Sequence, residues 1–293
     1  SFLAMDIAYH CATGKDWHGS AVVKGPVYYI AGEGHGGIAR RQEAWLKHHK
    51  PDLAGINFRF TEGAMDFYEA KSAELITRDI EEWAEIDGNP VLIVIDTLAR
   101  NFNGDENSAV EMGTFINNVN QYLRVPFECV VLIVHHTGHS AKDRARGSMA
   151  LKGGIDFEYR VEKSKTVHLG VELSCTKMKD AEEPDKTWFK GGKVNLNIPE
   201  EGEELMTSLV FEKTGVTVQE IQLSPELTQF LELANSLADP EGVVERTVLR
   251  ERAVADEIAR DAVQVRGFIR SLKDKNMIET LDAPQRIRLL DLP

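Results

Sequence analysis

Polar residues follow three apolar stretches of the sequence, at the points where we predict strands to end. Glu33 stands between two glycines after the first stretch, Asp96 follows the second, and His135 and His136 follow the third. Because ligands of doubly wound sheets lie beyond the carboxyl ends of the strands, we expect these side chains along one rim. A carboxylate at Asp96 can hold Mg²⁺ beside a nucleotide, and Glu33 can polarise an attacking water. The chemistry indicated is phosphoryl transfer.

Phosphoryl transfer also needs a phosphate cradle, commonly G-x-x-x-x-G-K-[ST] between a strand and a helix. No segment of the 293-residue sequence matches that motif. Ser1 has the residue type of its last position, and a Gly-Lys placed before it would complete the loop. We therefore predict that Ser1 is an Mg²⁺ ligand, that the loop lies upstream, and that this chain alone binds ATP poorly because it lacks the lysine.

The elements that position these residues alternate between strands and helices. Periodicity predicts a first helix that Gly14 ends. A sheet that is parallel, with helices on both faces, follows from the doubly apolar strands. The predicted strands are Pro26–Gly32, Ile56–Phe60, Pro90–Asp96 and Cys129–His135, and the predicted later helices are Ala64–Ile86 and Ser108–Leu123.

The pattern changes after about Asp156, where consecutive short strands predict an antiparallel extension of the same sheet. The last part of the chain has a helical pattern followed by two short strands. The fold class predicted is α/β with a second, smaller domain. We divide the chain into a core at 1–213, a linker at 214–225 and a C-terminal domain at 226–293.

The net charge, the length of the apolar runs and the number of cysteines exclude some classes of protein. The formal net charge of -13 argues against a protein that coats nucleic acid over its whole surface. The apolar runs are too short to span a bilayer, so we expect no membrane partner. Three cysteines at scattered positions predict free thiols and a cytoplasmic location.

A resemblance to a family emerges from SFLAMDIAYHCATGKDWHGSAVVKGPVYYIAGEG. This segment resembles the region after the phosphate-loop lysine in RecA-fold ATPases related to the plasmid RepA hexameric helicase. The resemblance continues through VLIVIDTLARNFNGDENS, VVLIVHHTGHS, RARGSMALKGGID and CTKMKDAEEP, and so covers about Ser1 to Glu212. It implies a RecA-like, mostly parallel sheet that is flanked by helices and has an antiparallel extension.

The resemblance also implies roles. Ser1 and Asp96 would bind Mg²⁺, Glu33 would activate water, and His135 or His136 would sense the γ-phosphate. ATP would be hydrolysed between the subunits of a hexameric ring, where a basic residue reaches the neighbour's nucleotide. The candidates for that residue are Lys177, Lys179, Arg146 and Lys152, although a lysine is a point charge without the planar fork of arginine.

Single-stranded DNA is the partner that the resemblance implies. A basic, glycine-flanked loop at 138–147 would follow its phosphates, and a winged-helix-like module at the C-terminus would add a recognition helix. In the loop the candidates are Lys142, Arg144 and Arg146, and in the helix they are Arg266, Arg270 and Lys273. The inner face of that helix is predicted to consist of Val263, Phe268, Ile269 and Leu272.

The function predicted is an ATP-driven helicase or translocase of plasmid or phage replication. Two alternatives stay open: a nucleotide-dependent DNA-binding regulator that does not translocate, and a DNA-binding protein without ATPase activity. Zinc at His135, His136 and His139 is a third interpretation. It is disfavoured, because adjacent residues at a strand end point to opposite faces and no further ligand has the right spacing.

Overall fold

A computed structural model describes residues 1–32, 35–52, 54–136, 149–164, 169–199, 205–214, 223–275, 277–281 and 285–290. The chain forms two compact units. The first consists of Ser1–Asp156 and Lys193–Phe211, and the second of Phe157–Gly192 and Glu212–Pro293.

The elements are numbered in chain order. The helices are α1 (Phe2–Thr13), α2 (His35–His49), α3 (Ala70–Asp87), α4 (Ala109–Val119), α5 (Val125–Phe127), α6 (Met149–Gly154), α7 (Pro225–Leu237), α8 (Arg246–Ala255) and α9 (Ala262–Asp274). The strands are β1 (Val27–Ala31), β2 (Phe58–Phe60), β3 (Leu92–Asp96), β4 (Val130–Val134), β5 (Phe157–Lys163), β6 (Gly170–Met178), β7 (Thr187–Pro199), β8 (Leu205–Thr214), β9 (Val243–Glu245), β10 (Ile278–Thr280) and β11 (Arg286–Leu289).

The first unit is built on a four-stranded parallel sheet with the order β2-β1-β3-β4. Its register pairs Ala31 with Asp96, and Asp96 with Val134. The three strands therefore end at one level, and the residues that follow them meet at one rim. The predicted parallel sheet is confirmed.

Successive residues of the two central strands face opposite layers of helices, as the period of a strand requires. Tyr28 and Ile93 pack in the cluster that includes side chains of α3 and α4. Tyr29 and Val94 pack in the cluster that includes side chains of α1 and α2. Burial on both faces explains why β1 and β3 are almost entirely apolar.

Helix α3 begins six residues later than the periodicity of Ala64–Ile86 predicts. The backbone N–H groups of Met65 and Phe67 donate to the side chain and carbonyl of Asn101. Because those donors are used outside any helix, the segment before Ala70 forms bends and a turn, and the helix begins only after it.

Strands β5 to β8 form a second sheet in chain order. The β5–β6 and β6–β7 pairs are antiparallel, which confirms the predicted antiparallel strands. In the described part of the chain these strands pair with one another, so the expected continuation of the first sheet is not what is observed.

The C-terminal part of the second unit has the order α7-β9-α8-α9-β10-β11, and its strands form an antiparallel sheet β10-β11-β9. It has an apolar core of its own, centred on fully buried residues such as Phe230, Leu249 and Leu272. The sequence analysis missed β9, a strand of only three residues. Such a short strand depends on its pairing with β11 for its stability, and pairing is not visible in a local pattern.

Two predictions from composition can be compared with the structure. All three cysteines are free thiols; Cys129 is buried, and Cys11 and Cys175 are half-buried. Of the helices in the described ranges, none combines the length and the apolar character that a bilayer span requires.

Candidate functional site

The rim of the parallel sheet brings Ser1 and Asp96 together. Ser1 precedes helix α1, and its hydroxyl donates a 2.9 Å hydrogen bond to Asp96 Oδ1 across 95 residues of sequence. Serine at this position commonly caps a helix through its side chain, but the Ser1 side chain makes no cap hydrogen bond with α1. Its hydroxyl is directed instead at the carboxylate.

Tyr29 holds the other oxygen of the same carboxylate. Its phenol, which is fully buried in β1, donates a 2.5 Å hydrogen bond to Asp96 Oδ2. Asp96 is only 3 % exposed, and both of its oxygens accept a hydroxyl. The sequence analysis missed Tyr29, although the pairing of β1 with β3 could have placed it on the same face as Asp96.

The loop after Asp96 is packed tightly against the end of β1. A side chain at Gly32 would bring its Cβ within 2.4 Å of Arg100 Cβ, so this position needs glycine. Asn101 is completely buried and donates from Nδ2 to the carbonyl of Thr97 at 2.9 Å. These contacts fix the backbone on both sides of the Asp96 carboxylate.

The histidine pair follows β4, the neighbour of β3 in the sheet. Val134 is paired with Asp96, so His135 lies at the rim beside the residue that follows Asp96. His135 is half-buried and His136 is exposed. Within the described ranges, the groups with metal-ligand geometry include neither of them, and His139 lies outside those ranges.

The remaining predicted nucleotide and loop residues are distributed differently. Glu33, Lys142, Arg144 and Arg146 lie outside the described residues. Lys152 lies in α6 of the first unit and is half-buried. Lys177 lies near the end of β6, and Lys179 follows that strand and is exposed; both belong to the second unit.

Helix α9 presents the predicted basic face. Arg266, Arg270 and Lys273 are all exposed. Their spacing of four and three residues places them on one side of a helix. The inner face is Val265, Ile269 and Leu272, with Phe268 at its edge. The prediction of Val263 in that face is wrong: this residue is 65 % exposed. It lies two positions from Val265, about 200° around the helix, and therefore on the basic side.

A second buried carboxylate, Asp6 of α1, was not anticipated. Trp17 and Trp45 donate their indole N–H groups to it at 2.7 Å, and His18 Nε2 lies 2.9 Å from it. Burial alone would raise the pKa of Asp6, but the hydrogen bonds from His10, His18, Trp45 and Trp17 outweigh it and hold that pKa well below its usual range. A single buried aspartate in a helix of apolar residues was the signal that could have indicated this cluster.

The chain is similar to known proteins over part of its length. A family described as "AAA domain" matches residues 1–142, the region that contains Ser1, Asp96 and His135. Among solved structures, the RadB recombinase aligns over 57% of this chain and 75% of its own, with 13% sequence identity and a TM-score of 0.41. No curated protein matches the chain.

Proposed function

We propose that this chain belongs to an ATP-dependent DNA helicase or translocase of RecA-like fold that acts in plasmid or phage replication. The hydrogen bond from Ser1 to Asp96 carries the proposal, because it joins the hydroxyl and the carboxylate that an Mg²⁺–nucleotide site needs. The similarity of residues 1–142 to AAA domains supports the same class of chemistry.

The side chains at the rim fit Mg²⁺. Mg²⁺ is a hard cation that proteins bind with one or two oxygen ligands while water and substrate phosphates complete its shell. Ser1 and Asp96 would hold the ion, directly or through water, and Tyr29 orients the carboxylate. Bound MgATP supplies the phosphoryl group and the charge neutralisation for its transfer.

The other residues of the reaction are assigned by their places in the chain. Glu33, directly beyond the end of β1, activates the attacking water. His135 or His136, beyond the end of β4, senses the γ-phosphate. A hexameric ring completes each site with a basic residue of the neighbouring subunit, for which Lys152, Lys177, Lys179 and Arg146 are the candidates. Light scattering with and without nucleotide measures the assembly.

Single-stranded DNA would be bound by Lys142, Arg144 and Arg146, which follow β4 in the sequence. The exposed face of α9 gives a second contact through Arg266, Arg270 and Lys273. Each phosphate contact with a single strand adds about 0.7 to the slope of log affinity against log salt. Arg270→Ala should reduce that slope by about 0.7. Arg78→Ala, on an exposed face of α3, is the matched control and should leave the slope unchanged.

ATP hydrolysis by the full-length natural protein tests the proposal. We expect DNA-stimulated hydrolysis that Asp96→Asn abolishes and Glu82→Gln, an exposed change on α3, does not affect. No hydrolysis in the natural protein, or full hydrolysis in Asp96→Asn, would contradict the proposal.

A strand-displacement assay then separates two functions of the same site. The separate core and basic helix of the C-terminal module favour, as a second candidate, a nucleotide-dependent DNA-binding regulator. Hydrolysis together with ATP-dependent displacement supports the helicase, whereas hydrolysis and DNA binding without displacement support the regulator.

A further inference from the structure

The Asp6 cluster brings three parts of the first unit to one buried carboxylate. Asp6 and His10 lie one turn apart on α1, Trp17 and His18 follow that helix, and Trp45 comes from α2. Asp6 is 3 % exposed and His10 is 6 % exposed. A group bound here would fix α1 against its neighbours, and α1 is the helix that begins beside Ser1.

The two indoles orient the Asp6 carboxylate but occupy only one lone-pair direction on each of its oxygens. Trp45 Nε1 donates to Asp6 Oδ1, and Trp17 Nε1 donates to Oδ2, each at 2.7 Å. A carboxylate offers about four lone-pair directions, so the indoles use one on each oxygen, and the second direction faces His10 on Oδ1 and His18 on Oδ2. Fixing a ligating carboxylate by such outer hydrogen bonds is a usual feature of metal sites.

His10 provides the second, independent observation. Its Nδ1 lies 3.1 Å from the carbonyl of Lys15, which can only accept, so Nδ1 carries the hydrogen. In the neutral ring the other nitrogen, Nε2, then presents a lone pair. That atom is buried and lies 3.5 Å from Asp6 Oδ1, too far for a hydrogen bond of ordinary length. Either a proton on Nε2 or a cation between the two atoms satisfies both of them.

The 3.5 Å between His10 Nε2 and Asp6 Oδ1 suits a metal ion between them, whereas the 2.9 Å between His18 Nε2 and Asp6 Oδ2 is a hydrogen-bond distance that must lengthen when the ion binds. Two ligands of a tetrahedral Zn²⁺, each about 2.1 Å from the ion, lie about 3.4 Å apart. His18 Nε2 lies 2.9 Å from Asp6 Oδ2, and the ligand atoms of Asp6, His10 and His18 all lie within 4.8 Å of one another. His49 Nε2, 3.9 Å from Asp6 Oδ1, adds an imidazole at the edge of the cluster.

We infer that Asp6, His10 and His18 form a binding site for a transition-metal dication of the Zn²⁺ type. Two imidazoles and one carboxylate are a ligand set that Zn²⁺ accepts, with the fourth position left to water. The ion takes the place of the hydrogen between His18 Nε2 and Asp6 Oδ2, so that His18 presents the lone pair of Nε2 to the ion. The site is independent of ATP and of the proposed helicase function.

Titration of the metal-free chain with Co²⁺ tests the inference. After treatment with a chelator and its removal, we expect one Co²⁺ per chain, with the visible absorption of a tetrahedral ion. No thiolate charge-transfer band should accompany it, because the ligands are nitrogen and oxygen. Tryptophan fluorescence should decrease in parallel, since Trp17 and Trp45 donate to the ligating carboxylate.

Variants locate the ion. His10→Gln and His18→Gln should each weaken Co²⁺ binding by at least the 10- to 100-fold that the loss of an outer partner costs. Glu82→Gln removes an exposed carboxylate from α3 that belongs to none of the groups with metal-ligand geometry in the described residues, and it should bind Co²⁺ like the unsubstituted chain. Circular dichroism checks that each variant is folded.

A second measurement does not depend on the variants. Zn²⁺ should raise the Tm of the unsubstituted chain, as any ligand of the native state does, and a chelator should reverse the increase. The inference is overturned by no Co²⁺ binding and no Zn²⁺-dependent Tm shift, which means that a proton alone holds the cluster. It is equally overturned by a thiolate band, or by unchanged binding in folded His10→Gln.

Discussion

Asp6 and Asp96 are both buried carboxylates of the first unit, but they are surrounded by different donors. Asp96 accepts from the hydroxyls of Ser1 and Tyr29. Asp6 accepts from the indole nitrogens of Trp17 and Trp45 and is bordered by imidazoles. Oxygen groups suit Mg²⁺, whereas imidazole with one carboxylate suits Zn²⁺.

Under the proposed function, Asp96 would bind Mg²⁺ whereas Asp6 holds segments of the fold together. The partners of Asp96 are the neutral hydroxyls of Ser1 and Tyr29, at the rim of the sheet. The partners of Asp6 come from α1, the following loop and α2, so its charge links three segments. We therefore expect changes at Asp96 to alter catalysis and changes at Asp6 to alter stability.

The largest effect is expected for Asp96→Asn. Loss of the charge that holds Mg²⁺ removes several kcal/mol of transition-state stabilisation, which is at least about 100-fold in the rate of ATP hydrolysis. Steady-state hydrolysis by the full-length natural protein measures it. If the rate stays within a few-fold of the unsubstituted protein, Asp96 is not the metal carboxylate.

Asp6→Ala tests the other half of the comparison. It leaves two buried indole N–H groups and an imidazole without their acceptor, and breaking a buried ion pair costs about 3–5 kcal/mol of unfolding free energy. Urea unfolding in the presence of a chelator measures this cost apart from any metal. Glu74→Ala, which removes an exposed partner of Arg78, is the control and should cost about 0.5 kcal/mol or less. If both variants lost the same unfolding free energy, Asp6 would not have the structural role that distinguishes it from Asp96.

Tyr29→Phe tests whether the hydroxyl positions the metal carboxylate. Loss of an outer partner of a metal site costs about 10- to 100-fold in metal affinity or activity. We expect a higher Mg²⁺ concentration for half-maximal hydrolysis, an effect that a purely structural role would not produce. Tyr28→Phe is the matched control: its hydroxyl bonds to Asp79 instead, and its Mg²⁺ dependence should not change.

The smallest effect is expected for Ser1→Thr. Threonine keeps the hydroxyl that donates to Asp96, and both residue types occur at the last position of phosphate loops. Hydrolysis should stay within about threefold of the unsubstituted protein, because the hydroxyl that contacts Asp96 is kept. Ser1→Ala, measured beside it, should lose substantially more activity. If Ser1→Thr and Ser1→Ala lost the same hydrolysis activity, the hydroxyl of Ser1 would not contribute to hydrolysis.

Most of the first sheet could be predicted from the sequence. The apolar stretch before Asp96 predicts a buried parallel strand, and β3 is buried at every position. The stretch before His135 forms the parallel strand β4 as predicted, but the prediction of burial on both faces is wrong, because β4 lies at the edge of the sheet and its residues are half-buried or exposed. The end of each strand then gives the rim. The helix that Gly14 ends was predicted for the same local reason, and Gly14 has the left-handed φ of 72° that a helix-terminating glycine adopts.

Other features could not be predicted, because they depend on contacts between distant parts of the chain. Helix α3 starts late because Asn101 binds the backbone before it. The burial of Val263 was misjudged because a two-residue error on a helix moves a side chain to the other face. Glu33 and the basic loop at 138–147 lie outside the described residues, so their roles stay predictions.

The sequence by itself determined which residues lie at the ends of the strands, since strand periodicity and apolar runs are local properties. Only the tertiary structure decided that the Ser1 hydroxyl meets Asp96, that Tyr29 holds the other oxygen, and that Asp6 gathers indoles and imidazoles from three segments. The physical reason is that a buried carboxylate must find its hydrogen-bond donors wherever the packed helices place them, and sequence spacing does not record that placement.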